Sequence, residues 1–323
     1  MKKKFLLFIV VVLLAAGLFF GARFLFARAF GKEMPVALSE HAIVAPSDAG
    51  AFVYDGGKLL LVDAGNEIGT SVHFAKPKMI VVEKDVYIAD GKTLTSYNRK
   101  LEKTYETTAP EEIRTLDADG GTLYYGMKDQ TVRLSGGEGV ALSTPGYPVR
   151  LRADKDALVV LTVEDKDNHL KSRLYLFREG MDDVSFGFLD EVMEDAAFLD
   201  GHLYIVTNRA YYHFLDARLI EKDEIMRLTG TARDANTLLY LDDTRLVRIA
   251  LADGTKTVTK IDETAGLVRA EGKTLLLGKR ATVLTDDGTT VPALEGETVY
   301  GGFPYKHDLY LVTPKGIYRH FQK

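Results

Sequence analysis

Cysteine and tryptophan are both absent from the 323 residues. Without thiols there is no disulfide framework, no thiolate zinc centre and no cysteine nucleophile, so stability has to come from packing. Local catalytic and metal motifs are missing too. The seven histidines never fall within five residues of one another, which excludes zinc patterns such as H-E-x-x-H, and no G-x-S-x-G nucleophile turn occurs. The nearest approach to a phosphate loop, Gly266 to Gly272 followed by Lys273-Thr274, has five residues between its glycines where the motif has four. It lies between two predicted strands with no helix N-terminus to hold an anion, and reads as a turn. No catalytic residue, metal site or cofactor is therefore expected.

One long run lacks charge altogether. Residues 5–22 contain no strongly polar group, and the apolar stretch continues to residue 26 with only Arg23 interrupting. That is enough to span a bilayer. Lys2, Lys3 and Lys4 precede it and favour a cytoplasmic N-terminus. The expected organisation is a cytoplasmic tail over 1–4, a transmembrane signal anchor over 5–26, a linker over 27–34 and an extracytoplasmic domain over 35–323, held at the cytoplasmic membrane by a single pass. Ala27-Arg28-Ala29 fits a small-x-small cleavage site, so a cleaved signal peptide is the alternative. The first 32 residues hold six basic side chains and no acidic one, leaving 35 Lys and Arg against 46 Asp and Glu, a net of −11. So acidic a domain is a poor binder of nucleic acid or of an anionic membrane face.

Beyond the linker a unit recurs eight times. Its first strands begin near Gly50, Asp85, Gly120, Asp156, Gly201, Asn236, Gly272 and His307, with spacings of 35, 35, 36, 45, 35, 36 and 35. Within a copy four short apolar runs are bounded by turn residues; in the third they cover 112–116, 122–126, 131–134 and 140–143. Four strands at this period describe a propeller blade, and no helical periodicity competes with it. The fold class is all-β, a β-propeller with eight four-stranded blades; seven would remain if one copy is misread. The outlying spacing of 45 is assigned to a longer hairpin tip over 164–172. The last copy stops after its third strand. Residues 36–39, similar to the fourth strand of the third copy, are expected to complete it and close the ring.

Period, strand pattern and hairpins such as 251–256 and 284–289 resemble the quinoprotein-like and WD40-like propellers over roughly residues 35–321. The tryptophan that closes quinoprotein-type repeats is missing from every copy, so neither a quinone nor any particular family function is implied.

Candidate contact residues fall into three sets. Arg114, Arg150, Arg152 and Arg269 are assigned to innermost strands beside the central channel. Arg150 and Arg152 alternate with Val149 and Leu151, so both guanidiniums share one strand face. They can grip a carboxylate or phosphate, or pair with carboxylates of adjacent blades. Glu164, Asp165, Asp167 and His169 occupy the long tip, the expected partner-contact loop; their spacing is similar to a calcium loop but lacks its central glycine and distal glutamate. Turns between second and third strands carry a cation in every blade: Lys58, Lys92, Lys128, Lys171, Arg209, Arg245, Lys279 with Arg280, and Lys315. Connections into the first strands lie on the same face and are acidic, at Glu111-Glu112, Glu191, Glu194-Asp195, Asp262-Glu263 and Glu295, so mutual neutralisation is expected. The pairs Asp182-Asp183, Asp242-Asp243 and Asp286-Asp287 fall at turns, where Asp bonds to local backbone.

These readings point to a non-enzymatic binding or scaffold module that presents one propeller face to a protein or an anionic envelope polymer. The alternatives are an envelope enzyme acting on glycans, with carboxylates assembled at the channel mouth, and an envelope assembly factor that docks through the fourth-blade tip.

Overall fold

The computed structural model describes residues 33–320 apart from 49, 64–65, 155–156, 179–182, 262–263, 271, 279, 295 and 306–307. The expected tail, the anchor and all but the end of the linker lie outside the described residues, as do Asp182, Asp262, Glu263, Lys279 and Glu295. Among the described residues no helix is long and apolar enough to cross a membrane, and every regular element is a strand.

The strands assemble into eight antiparallel four-stranded sheets. Seven are simple meanders of consecutive strands. Their first members are β2 (Ile43–Ser47), β6 (Lys78–Val82), β10 (Thr115–Asp119), β14 (Tyr147–Asp154), β18 (Met193–Leu199), β22 (Leu228–Arg233) and β26 (Thr264–Ala270). The eighth begins with β30 (Gly301–Tyr305), continues through β31 (Asp308–Thr313) and β32 (Gly316–Arg319), and takes its outer strand from β1 (Glu33–Pro35). Each first strand contacts the first strand of the next sheet, and β30 contacts β2, so these eight strands surround one axis.

The strand that completes the eighth blade differs in register from the expected one. Glu33, Met34 and Pro35 face Tyr318, Ile317 and Gly316, whereas residues 36–39 run on past the β31–β32 turn. There the amides of Val36 and Leu38 donate to the carbonyls of Lys315 and Pro314. The buried Met34, Val36 and Leu38 pack with Val53, Val62 and Ile317, which explains why an apolar alternation marks residues 36–39 although they are not the ladder strand.

Blade position dictates residue type. A second strand has neighbouring blades on both faces, so β23 (Thr237–Asp242) is buried at all six positions and reads TLLYLD. An outer strand such as β13 (Glu138–Ser143) is exposed at five of six and reads EGVALS. The core is therefore distributed between blades: Tyr204, Val206 and Tyr211 of the fifth interlock with Leu238, Tyr240 and Val247 of the sixth. Each fully buried side chain of this size contributes about 1.5–3 kcal/mol.

The fourth blade carries its extra length in the expected hairpin, but not as the expected contact loop. Its extra residues form a ladder rather than a loop: β15 (Ala157–Lys166) and β16 (His169–Arg178) stay paired out to Lys166 and His169. The turn is only Asp167-Asn168, both left-handed at φ 56° and 63°, as a two-residue type I′ hairpin requires. The ribbon rises past Val163, the last β15 residue paired with β14.

Candidate functional site

Alternating strand direction divides the connections between two faces. Turns between second and third strands share a face with the links between blades, and hydrogen bonds tie the two together: Asp129 N–H donates to the Gly146 carbonyl, Gly146 N–H to Asp129 Oδ1, Ile225 N–H to the Arg209 carbonyl and Ile113 N–H to the Gly91 carbonyl. This is the connection face.

Between blades, the inner strands form a charged node. Arg150 Nη1 donates to Asp195 Oδ2 at 2.8 Å, while Arg152 reaches Oδ1 through Nε at 3.2 Å and Oδ2 through Nη2 at 3.1 Å. Thr231 Oγ1 and the Ala196 amide complete the shell of Asp195 at 3.2 and 3.0 Å. Burial alone would raise this carboxyl, but Arg152 and Arg150 outweigh it and hold it below the usual aspartate range. Asp195 is thus an inner-strand anchor, wholly buried, and not the turn residue its Glu194-Asp195 setting suggests. With five donors on its two oxygens it has no lone pair to spare for proton transfer.

Asp117 of β10 lies on the next strand of the ring. Its Oδ2 accepts from the Ala153 amide at 2.8 Å and its Oδ1 from the Ala118 amide at 3.0 Å. Here burial wins over those bonds and over Arg152 and Arg233, and the carboxyl is shifted upward. One inner ring therefore holds two aspartates moved in opposite directions by the balance of burial and guanidinium contact.

The other two arginines occupy different settings. Arg269 is buried and its donors are taken: Nε by Asp234 at 2.7 Å, Nη1 by Asp286 Oδ1 at 2.8 Å and Thr274, and Nη2 by Asp286 Oδ2 at 3.1 Å and Thr237. It braces the sixth and seventh blades. Arg114 stands one residue before β10, on the connection face rather than in an innermost strand, with Nη2 3.1 Å from Glu112. Its guanidinium covers the half-exposed ring of Tyr147 at 4.7 Å, and Lys128 approaches the same ring at 5.4 Å.

Partial neutralisation on this face follows the expected pattern. Lys92 is 3.9 Å from Glu111, and Lys315 pairs with Glu297. Among the described residues Lys58, Lys171 and Arg209 make no ion pair. Exposed apolar side chains gather here as well: Tyr147, Met226 and Tyr300 in or beside the links, and Leu170 and Leu189 on the raised fourth-blade ribbon. Met226, at 83% exposure, is the extreme case. Outer strands expose apolar side chains too, at Ile68, Val140, Leu219, Ile220 and Val258. A recess of about 750 Å³ also opens on the connection face, lined by Arg280, Thr282, Pro292, Leu294 and Glu297.

Of the tip residues, Glu164 lies 3.1 Å from Arg173 Nε, and His169 Nδ1 lies 3.4 Å from Asp190 Oδ1. Asp165 faces Leu170 across the ladder and Asp167 is the first turn residue, so the four surround a ribbon rather than converge on an ion. Among the described residues no group of three or more His, Asp or Glu side chains could hold a metal.

Two histidines that sequence spacing could not join do meet. His202 Nδ1 and His213 Nε2 are 2.8 Å apart, and both rings stack with Tyr204. Eleven residues separate them because they sit on adjacent strands of one hairpin.

No protein-family model matches the chain, and no curated protein does. Solved structures do. BamB from Moraxella catarrhalis aligns with a TM-score of 0.64 at 11% identity, over 88% of this chain and 98% of its own. Apo AztD from Citrobacter koseri gives 0.55 at 10% identity, over 71% and 76%, and a chain of a mitotic checkpoint complex gives 0.52 at 9%, over 90% of both. At such identities the likeness is one of fold: the chain is an eight-bladed β-propeller, and these comparisons define no narrower family.

Proposed function

We propose that this protein is a scaffold whose propeller stands on the extracytoplasmic side of the cytoplasmic membrane, tethered through residues 5–26, and engages a protein partner with its connection face. The observation that carries the reading is a set of exposed apolar side chains at the link end of the ring, in addition to those the outer strands carry at Ile68, Val140, Leu219, Ile220 and Val258. Tyr147, Leu170, Leu189, Met226 and Tyr300 lie at that end, with Leu170 and Leu189 on the paired strands β16 and β17 (Val184–Leu189) of one blade, and apolar groups gathered on one surface mark contact sites. Arg114, Lys128 and Lys171 stand among them. A partner segment combining apolar anchors with acidic residues fits that mixture.

Support of a general kind comes from neighbours in fold, since one of them is part of a mitotic checkpoint complex. The tether rests on the uninterrupted apolar run and its leading lysines. The raised ribbon also fits an assembly role, because it lifts Leu170 above the plane of the other turns.

The test is site-specific photocrosslinking of the full-length protein in native membranes. Probes at Tyr147, Leu170 and Met226 should capture one protein species reproducibly, while probes in the opposite-face turns at Glu138 and Asn236 should not. Capture confined to the opposite face rejects the assignment. A connection-face smear of polymer in place of a discrete band replaces the protein partner with an envelope polymer.

A further inference from the structure

The charged node between the fourth, fifth and sixth blades has a property that an ordinary structural ion pair lacks. Asp195 spends all its acceptor capacity on fixing its neighbours, and it does so wholly out of water. Arg150, in contrast, is bound among the described residues through Nη1 alone, to Asp195 and to Thr231 Oγ1 at 3.3 Å. Its side chain keeps 30% of its surface accessible although it projects from an innermost strand. Guanidinium geometry then leaves Nε and Nη2 as a donor edge pointing away from the carboxylate.

The space beside it is open. Every residue of β22, the inner strand that supplies Thr231, is partly accessible to solvent, and so is every residue of β10 across the fourth blade. By contrast β18 buries Met193, Asp195, Ala196 and Ala197. Solvent therefore reaches a guanidinium held in one orientation by a buried carboxylate. That is the construction of an oxyanion receptor: the orienting charge is hidden, the donor edge is exposed, and little side-chain entropy remains to be lost on binding.

We propose that the channel wall formed by Arg150, Thr231 and Asp195 is a binding site for a small oxyanion, a free carboxylate or phosphate group, with Arg150 as the ligand-contacting residue and Asp195 as its positioning residue. The site is separate from the connection face, and either can exist without the other.

Isothermal titration of the full-length protein in detergent with inorganic phosphate, and separately with succinate, tests the proposal and tells the two oxyanion classes apart. At least one probe should bind with one site per chain, and Arg150→Ala should weaken it by more than about tenfold, the loss of one charge-assisted pair of hydrogen bonds. Arg150→Lys keeps the charge without the fork and should fall between the two. If Arg150→Ala does not fold, Arg150→Lys alone decides, since unchanged affinity in that variant shows that no guanidinium is engaged. Absence of binding by both probes, or affinity that survives either substitution, overturns the site. Crosslinking at Tyr147 and Leu170 should be the same in Arg150→Lys and the parent protein, so failure here leaves the partner face to be judged on its own result.

Discussion

Arg269 and Asp286 meet through two parallel hydrogen bonds, Nη1 to Oδ1 at 2.8 Å and Nη2 to Oδ2 at 3.1 Å, although one belongs to the inner strand of the seventh blade and the other to a turn at its far side. Asp234 of the preceding blade takes Nε of the same guanidinium. Removing Arg269 strands carboxylates in a poorly solvated place, so Arg269→Ala should cost about 3 kcal/mol, the lower end for a broken buried pair because Asp286 keeps Arg248 and some solvent. Urea unfolding checks this, and a loss below about 0.5 kcal/mol would show the brace to be idle.

Acidification should weaken the fold through His213. Burial, then His202 at 2.8 Å, holds its pKa below the ordinary value of 6.5, and burial lowers His320 likewise. The unfolded chain takes up these protons more readily than the folded one. Stability is therefore fully present above about pH 6.5 and declines as pH falls from there towards the depressed folded values. Unfolding midpoints between about pH 7 and pH 5 should drop in the parent protein and drop less in His213→Gln. Equal slopes would remove His213 as the cause.

Gly316 sits at φ 147°, and a Cβ there would lie 2.4 Å from the Met34 carbonyl oxygen. Gly316→Ala should force β1 off β32 and cost about 1–3 kcal/mol. Hydrogen exchange should accelerate at Ile317 and Arg319 before it does in the other blades.

The raised ribbon should be removable. Excising the two cross-strand pairs Glu164–Lys171 and Asp165–Leu170 keeps the Asp167-Asn168 turn and all pairing with β14. Stability should change by no more than about 1 kcal/mol, from losing the Glu164–Arg173 contact and the Asp190 amide bond to the Leu170 carbonyl, while His169 moves into the place of Lys171 opposite Leu189. Capture of the partner by the Tyr147 probe should fall sharply if the ribbon contributes to docking, and unchanged capture would confine docking to the links.

The blades are legible in the sequence because second strands are buried on both faces and are predominantly apolar. The landmarks near Gly50, Asp85 and Asn236 fall within a residue or so of β3 (Gly50–Asp55), β7 (Asp85–Asp90) and β23, which are second strands and not the first strands expected of them, because the less buried inner strand that precedes each carries a weaker apolar signal. The partner of Arg150 is not legible in the sequence. Asp195 lies 45 positions away on another blade, and no local spacing encodes a contact that ring geometry creates. Nor does composition tell a ladder from a loop over Glu164 to Ser172, because a solvated ladder and a solvated loop are both rich in charge. Arg114 was displaced by one residue, from strand to connection, within the ordinary error of strand ends.

The pairing of β1 with β32 has a consequence for synthesis. The strand that leaves the ribosome before any other described one finds its partner only after the seven intervening sheets have been made. Each of those can form from neighbouring chain, but the circle stays open until the final segment appears. Interrupted translation would leave a crescent with two bare flanks, a natural substrate for chaperones and proteases.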